Sequence, residues 1–535
     1  MLVQEFLERS VGRFPDKSAL IAGSRRLTYQ DIDEQANKLA HALREAGVTY
    51  GDRVVVVLDN SPETVVSVFG IIKADAVFSV VNPTIKEDKL TYILNNCRAA
   101  ALITHETKWQ TARIAAAKAE HIRAVFLVAK DAAANGHEAA ERNDDPAAET
   151  SPGKRDRASK SRYRLVSWHE ALRAQPASAP PRKAIDIDLA ALIYTSGTTG
   201  NPKGVMMTHQ NMVAASTSIT TYLENTDRDI ILSVLPLSFD YGLYQIIMSA
   251  QFGGTVVLEK AFLYPYAVIN TLKKERITGF PLVPTISAIL IQMKEIKNER
   301  FEHLRYITNT AAALPLSHIR GLRELFPTAA IFSMYGLTEC KRVSYLPPEE
   351  LDRRPTSVGK GMPNEHVYLV DANDRVITEA DTVGELVVRG ANVMKGYWEL
   401  PEATDRMLRP GPYPWEKVLY TGDLFRMDEE GFLYFVSRKD DIIKSRGEKV
   451  SPKEIENVLY ELDGVVEAAV VGVPDEVLGE SIKAYVVLQQ GSTLSPKDII
   501  AHCAKHLEDF MIPQHIELRA SLPKTSTGKI TKKDL

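Results

Sequence analysis

The sequence predicts a layered α/β protein with a smaller α+β unit at its C-terminal end. Three observations predict it. Helical patterns alternate with short β-branched runs between residues 27 and 130, the same alternation returns between 190 and 334, and the pattern restarts near residue 440. Alternation of this kind is the signature of βαβ units under helical layers. With 535 residues, 44% of them hydrophobic, the chain can bury a large core and divide into more than one domain.

In the first stretch, Asp31 to Glu45 sets Ile32, Ala36, Leu39 and Leu43 on one helical face, and Val54 to Leu58 reads as a buried strand. Asp131 to Arg164 is rich in Ala, Glu, Asp, Lys, Arg and Ser, with little apolar content, and reads as a mobile surface insertion. Beyond it, Ala190 to Tyr194, Ile230 to Leu235, Gly254 to Leu258, Tyr306 to Thr308 and Ile331 to Met334 read as strands separated by helices. Near 440 the restart begins with Ser451-Pro452-Lys453-Glu454, a capping box with proline at the first helical position. Ile455, Val458, Leu459 and Leu462 are the apolar stripe behind it. Two strands follow at Ala468 to Val473 and Lys483 to Leu488, and Ser495-Pro496 starts a last helix through Ile499, Ile500, Cys503 and Leu507.

Bulk properties narrow the function. A net charge of −4, a pI near 6.4 and dispersed basic residues disfavour nucleic-acid binding. The N-terminus lacks an apolar signal segment and no run reaches the length of a membrane span, so a cytoplasmic protein is expected. Cys97, Cys340 and Cys503 are few and widely spaced, which predicts free thiols and no zinc site.

The most informative segment is Ser196-Gly197-Thr198-Thr199-Gly200-Asn201-Pro202-Lys203-Gly204, directly after the apolar Leu189-Ala190-Ala191-Leu192-Ile193-Tyr194. Glycines let backbone N–H groups approach an anion, while the hydroxyls and the lysine add donors, so this reads as a strand entering a phosphate-holding loop. The spacing is not that of a Walker A loop. Downstream come Tyr335-Gly336-Leu337-Thr338-Glu339, Gly384-Glu385-Leu386-Val387-Val388-Arg389-Gly390 with Met394-Lys395-Gly396-Tyr397-Trp398, Tyr420-Thr421-Gly422-Asp423-Leu424, Arg438-Lys439-Asp440-Asp441-Ile442-Ile443-Lys444, and Pro523-Lys524-Thr525-Ser526-Thr527-Gly528-Lys529. In this order the blocks resemble the signatures of the AMP-forming adenylating enzymes, which include acyl-CoA synthetases, aryl-CoA ligases, amino-acid adenylation domains and luciferases. Leu27-Thr28-Tyr29, Gly51-Asp52-Arg53-Val54 and Gly70-Ile71-Ile72-Lys73-Ala74 extend the likeness upstream.

The resemblance implies a large N-terminal domain of several subdomains over residues 1–439, and a small mobile domain over 440–535 that carries a catalytic lysine. It implies ATP and Mg2+ as cofactors. A carboxylate is a poor electrophile, so it is first converted to an acyl-adenylate with release of pyrophosphate, and the acyl group then passes to a thiol of coenzyme A or of a carrier-protein pantetheine. Such a site needs donors around the triphosphate, a carboxylate for magnesium and a cation between the acid and the α-phosphate. By resemblance, Thr195, Ser196, Gly197, Thr198, Thr199, Gly200 and Lys203 hold phosphates, Thr338 donates to a phosphate, and Glu339 binds magnesium. Tyr335 lies against the adenine, Gly336 is among the ATP-binding residues, and Asp423 takes the ribose hydroxyls with Arg438 beside it. Lys529 bridges the acid and the α-phosphate, Asp440 is the hinge, and Lys444 and Gly447 face the thiol channel. Lys529, Glu339, Thr338 and Lys203 are thus the catalytic set.

Two positions depart from the family pattern: Ser437 precedes Arg438 where glycine is usual, and Asp75 stands where glycine is common. For the acid, Phe239, Asp240, Tyr241, Thr310, Ala311, Ala312 and Cys340 are the expected contacts. Their mostly small and apolar side chains favour a non-ionic acyl or aryl body over a second carboxylate, although Lys341 and Arg342 leave the latter open. Phe239-Asp240 also admits an amino-acid adenylation enzyme in which Asp240 grips the substrate amine, because a buried carboxylate wants a charge partner. A nucleotide-binding scaffold without turnover would have no need of Lys529.

Overall fold

The computed structural model describes residues 1–129, 163–195, 201–310, 314–439, 441–445, 448–475, 479–525, 529–532 and 535. The alternation read from the sequence folds into two largely parallel sheets. In a nine-stranded sheet, Ser18–Ala22, Thr255–Leu258, Ile230–Ser233, Gly279–Leu282, Tyr306–Asn309 and Ala330–Tyr335 run parallel in that spatial order, with antiparallel strands added at both edges. A seven-stranded sheet carries Arg53–Val57 at its middle and ends on the antiparallel pair Leu189–Thr195 and Lys203–Thr208. Parallel strands require crossovers, and the helices that supply them cover both faces. One such helix, Pro62–Lys73, is buried along its whole length. It lies so near Tyr29–Glu45 that a Cβ on Gly70 would sit 2.7 Å from Leu39 Cδ2.

A third sheet is antiparallel and built from Glu365–Val370, Gly384–Gly390, Leu408–Pro410, Lys417–Met427 and Leu433–Arg438. The fourth belongs to the small C-terminal domain, where Val465–Asp475 and Gly479–Leu488 pair along their length and the helices Pro452–Glu461 and Pro496–His506 pack on them. That domain has a core of its own around Ile455, Leu459, Val470, Ile482 and Cys503. It meets the large domain where the helix Leu316–Leu325 touches Pro452–Glu461. There the His318 and Tyr460 rings stand 6.2 Å apart, edge to face, and His318 Nδ1 hydrogen-bonds Ser287 Oγ at 2.8 Å.

The structure corrects several local expectations. Ser451 caps its helix by accepting from Glu454 N at 3.4 Å, but no return bond from the Glu454 side chain completes a box; the Ser451 hydroxyl instead donates to Val436 O at 2.6 Å. The reciprocal box forms at Ser495 with Asp498. Arg164, placed in the insertion by composition, opens the strand Arg164–Ser167 at the edge of the seven-stranded sheet, while residues 130–162 lie outside the described residues. Asp75 adopts φ +61°, a conformation glycine favours and aspartate tolerates. Its carboxylate is held there by Lys183 N, Ala184 N and Arg44, so the departure at this position has a local reason. The three cysteines are free and buried, and no helix among the described residues is long and apolar enough to cross a membrane.

Candidate active site

The strand Ala330–Tyr335 delivers Tyr335-Gly336-Leu337-Thr338-Glu339 at its carboxyl end, the edge where open α/β sheets bind ligands. Gly336 is required by space, since a Cβ there would lie 2.5 Å from Lys341 O. The Tyr335 hydroxyl donates to Asp423 Oδ2 at 2.6 Å. Asp423 sits on Lys417–Met427 directly opposite Arg438 of Leu433–Arg438, and its Oδ1 faces Arg438 Nε at 3.5 Å. Burial pushes the Asp423 carboxyl up, against the pull of Arg438, Tyr335 and Lys529. Lys529 reaches this group from the small domain. It is an exposed residue that still loses part of its water to the protein around it, which lowers its pKa while Asp423 opposes the shift. Three residues spread over more than a hundred positions of sequence thus share one electrostatic environment.

Beside them, the segment Met394 to Trp398 stitches two blocks together. Met394 N donates to Glu339 O at 2.8 Å, Lys395 N to Met206 O at 2.9 Å, and Trp398 N to Gly204 O at 2.8 Å. Lys203 is the first residue of Lys203–Thr208, paired across from Thr195, so the segment expected to hold phosphate joins two antiparallel strands. Ser196, Gly197, Thr198, Thr199 and Gly200 lie outside the described residues. The Tyr397 hydroxyl donates to Glu339 Oε1 at 2.6 Å, and Lys203 Nζ lies 5.2 Å from the centre of the Tyr397 ring. Burial raises the Glu339 carboxyl, with the Tyr397 bond working the other way. The sequence places Tyr397 in a family block without giving it a role, and that block membership was its only signal.

On the acid side, Asp240 is the first residue of the helix Asp240–Phe252, and Phe239 before it makes no side-chain cap. Asp240 is buried against Lys341, whose Nζ donates to Asp240 O at 3.0 Å and lies 3.5 Å from Oδ2. Burial brings the Lys341 ammonium down to about 7, with Asp240 opposing. The same ammonium stands over the rings of Tyr241 and Tyr244, at 5.2 and 4.6 Å from their centres. The Tyr241 hydroxyl donates to Thr308 O at 2.9 Å, which ties the helix to the end of Tyr306–Asn309. Phe239 packs edge-on to Tyr241, Thr310 and Cys340 are buried, and Ala311 and Ala312 lie outside the described residues. The charge partner of Asp240 is therefore a lysine of this chain, which removes the reason for assigning Asp240 to a substrate amine. Asp440 and Gly447 also lie outside the described residues, and of Lys444 only the backbone, in Ile443–Ser445, is described.

Models of two families match the chain: AMP-binding enzyme over residues 7–398 and AMP-binding enzyme C-terminal domain over 454–529. The chain belongs to the AMP-binding enzymes, the AMP-forming adenylating group. A long-chain-fatty-acid–CoA ligase of Bacillus subtilis is 31% identical over 536 residues, covering 100% of this chain and 94% of that protein. Among solved structures, the anthranilate CoA ligase AuaEII in complex with anthranoyl-AMP superposes with a TM-score of 0.87 at 26% identity, over 99% of this chain and 95% of the other. ATP-bound MatB from Rhodopseudomonas palustris gives 0.85 at 25% identity, over 100% and 98%. The large and small domains of this AMP-binding enzyme match the architecture of those proteins. It is an AMP-forming acid–thiol ligase, and its relatives favour that activity over amino-acid adenylation.

Proposed function

We propose that this AMP-binding enzyme joins a carboxylic acid to AMP with release of pyrophosphate, and then passes the acyl group to the thiol of coenzyme A, as the names of its relatives suggest. The observation that carries the reading is the convergence of Asp423, Arg438 and Lys529 from two domains beside Tyr335. Asp423 accepts from the ribose hydroxyls in place of the Tyr335 hydroxyl it now holds, and Arg438 fixes its orientation. Lys529 offers an ammonium between the entering carboxylate and the α-phosphate, where negative charge accumulates as the bond forms. Lys203 and the 195–200 loop take the outer phosphates, and Thr338 adds a hydroxyl.

A single carboxylate next to phosphates suits Mg2+, which keeps several oxygen ligands from water and substrate. Glu339, held by Tyr397, fits that requirement. When bound, the metal neutralises charge on the leaving pyrophosphate. The second half-reaction is assigned to rotation of residues 440–535 about Asp440, which would turn Lys444 and Gly447 toward the thiol. Acid-dependent ATP–pyrophosphate exchange tests the first step, with Lys529→Ala as the control. Thioester formation with free coenzyme A or with a pantetheinylated carrier protein tests the acceptor. Exchange without any acid, or with amino acids alone, would overturn the reading.

A further inference from the structure

The acid side holds one cation too many. Lys341 has Asp240, but Arg342, the next residue, is 2% exposed and no carboxylate among the described residues stands within ion-pair distance of it. Its guanidinium lies over the face of Tyr241, with Cζ 5.3 Å from the ring centre. The Tyr222 hydroxyl, which donates to Met334 Sδ at 3.0 Å, accepts one bond from the guanidinium. Nε and Nη1 have no hydrogen-bond partner among the described residues, nor does the hydroxyl of Tyr244, the second ring beneath Lys341.

Glu365 is the rival counter-ion. Its Oε1 accepts from Asn392 Nδ2 at 2.8 Å and its Oε2 has no partner. Burial drives its carboxyl well above the ordinary range while Arg342 pulls the other way, and the two side chains stand beyond ion-pair distance of each other. Arginine keeps its charge in any protein environment and offers only donors. A desolvated guanidinium without an ion-pair partner is strongly unfavourable, and buried donors left without partners call for an acceptor that arrives with a ligand. Arg342 sits on Tyr241, whose hydroxyl marks the carboxyl end of Tyr306–Asn309, at the sheet edge that carries the rest of the site.

We infer that the acid taken by this enzyme carries a second carboxylate, received by the free N–H groups of Arg342 beside the fixed Lys341–Asp240 pair. This rests on the function proposed above and names its substrate class. It also reverses the preference for a non-ionic acyl body drawn from the small and apolar residue types of the sequence, which carry no information on charge, whereas Arg342 does.

The test is pyrophosphate exchange by the full-length wild-type chain with matched acids: hexanoic against adipic, decanoic against sebacic, benzoic against terephthalic, and monomethyl adipate as the uncharged counterpart. The expected result is a diacid favoured over its monoacid by about a hundredfold in kcat/KM, with the monomethyl ester behaving as a monoacid. Arg342→Met should lose most of that ratio by gaining monoacid turnover while losing the diacid, and Arg342→Lys should keep part of it. A wild-type preference for monoacids, or an unchanged ratio in Arg342→Met, would overturn the inference and leave the ligase reading standing. Should Arg342→Met fail to fold, the wild-type ratio decides alone. Silence with every acid while ATP still binds by calorimetry would overturn both.

Discussion

The two halves of the site use tyrosine in opposite ways. On the nucleotide side, two carboxylates each take a tyrosine hydroxyl: Asp423 from Tyr335 and Glu339 from Tyr397, both at 2.6 Å. On the acid side, two cations rest on tyrosine faces, Lys341 over Tyr241 and Tyr244, and Arg342 over Tyr241. A phenol offers a donor at its edge to an anion and a negative ring face to a cation, so one residue type steadies either sign of charge. The difference lies in what a ligand can displace. A hydroxyl bond is given up when a better donor arrives, whereas a ring beneath a buried ammonium stays in place, so on the proposed assignment the nucleotide side would be set for exchange and the acid side for fixed recognition.

Removing the cation that joins the halves should break this arrangement most severely. Lys529→Ala is expected to lower acid-dependent pyrophosphate exchange by about a thousandfold with the melting temperature unchanged, because positioned charge in a reacting site is worth that order of rate. Next in size is Asp423→Asn, which keeps the shape but turns a charged acceptor into a neutral one. The KM for ATP should rise by about a hundredfold, measured in the same assay at saturating acid. Tyr397→Phe sharpens the comparison by freeing Glu339 alone. Half-saturation by Mg2+ should move up by about tenfold while the KM for the acid holds, as for outer ligands that orient a metal-binding carboxylate.

The smallest effect concerns the contact that brings Lys529 into place. His318, packed on Tyr460 of the small domain, has its pKa pushed down from 6.5 to about 4, first by burial and then by Lys453. Between those two values the unfolded chain holds the extra proton, so stability falls as the pH drops through 6.5 and levels off below 4. By pH 5 the loss is about 1–2 kcal/mol, discounted for partial exposure. A melting series from pH 7.5 to 4.5 should show a shallower fall for His318→Gln than for the wild type, and parallel curves would exclude His318 as the source.

Much of this protein could be read from its order of residues. Apolar periodicity set the strands at Leu189–Thr195, Ile230–Ser233, Thr255–Leu258 and Ala330–Tyr335 to within about two residues, since a strand buried on both faces must be apolar along its length. The blocks around Gly336, Asp423 and Arg438 were visible through their likeness, in order, to the signatures of the adenylating enzymes. Arg164 was drawn into the insertion because it looks polar until the strand it opens is seen beside Ala124–Val128.

What the sequence determined by itself was the fold class and the family likeness. These depend on neighbours in the chain and on local chemistry. Only the tertiary structure decided which charges face each other. Lys341 meets Asp240 across 101 positions, Tyr397 meets Glu339 across 58, and Arg342 is left with free donors, because pairing in a low-dielectric interior is set by distances that the chain order does not contain.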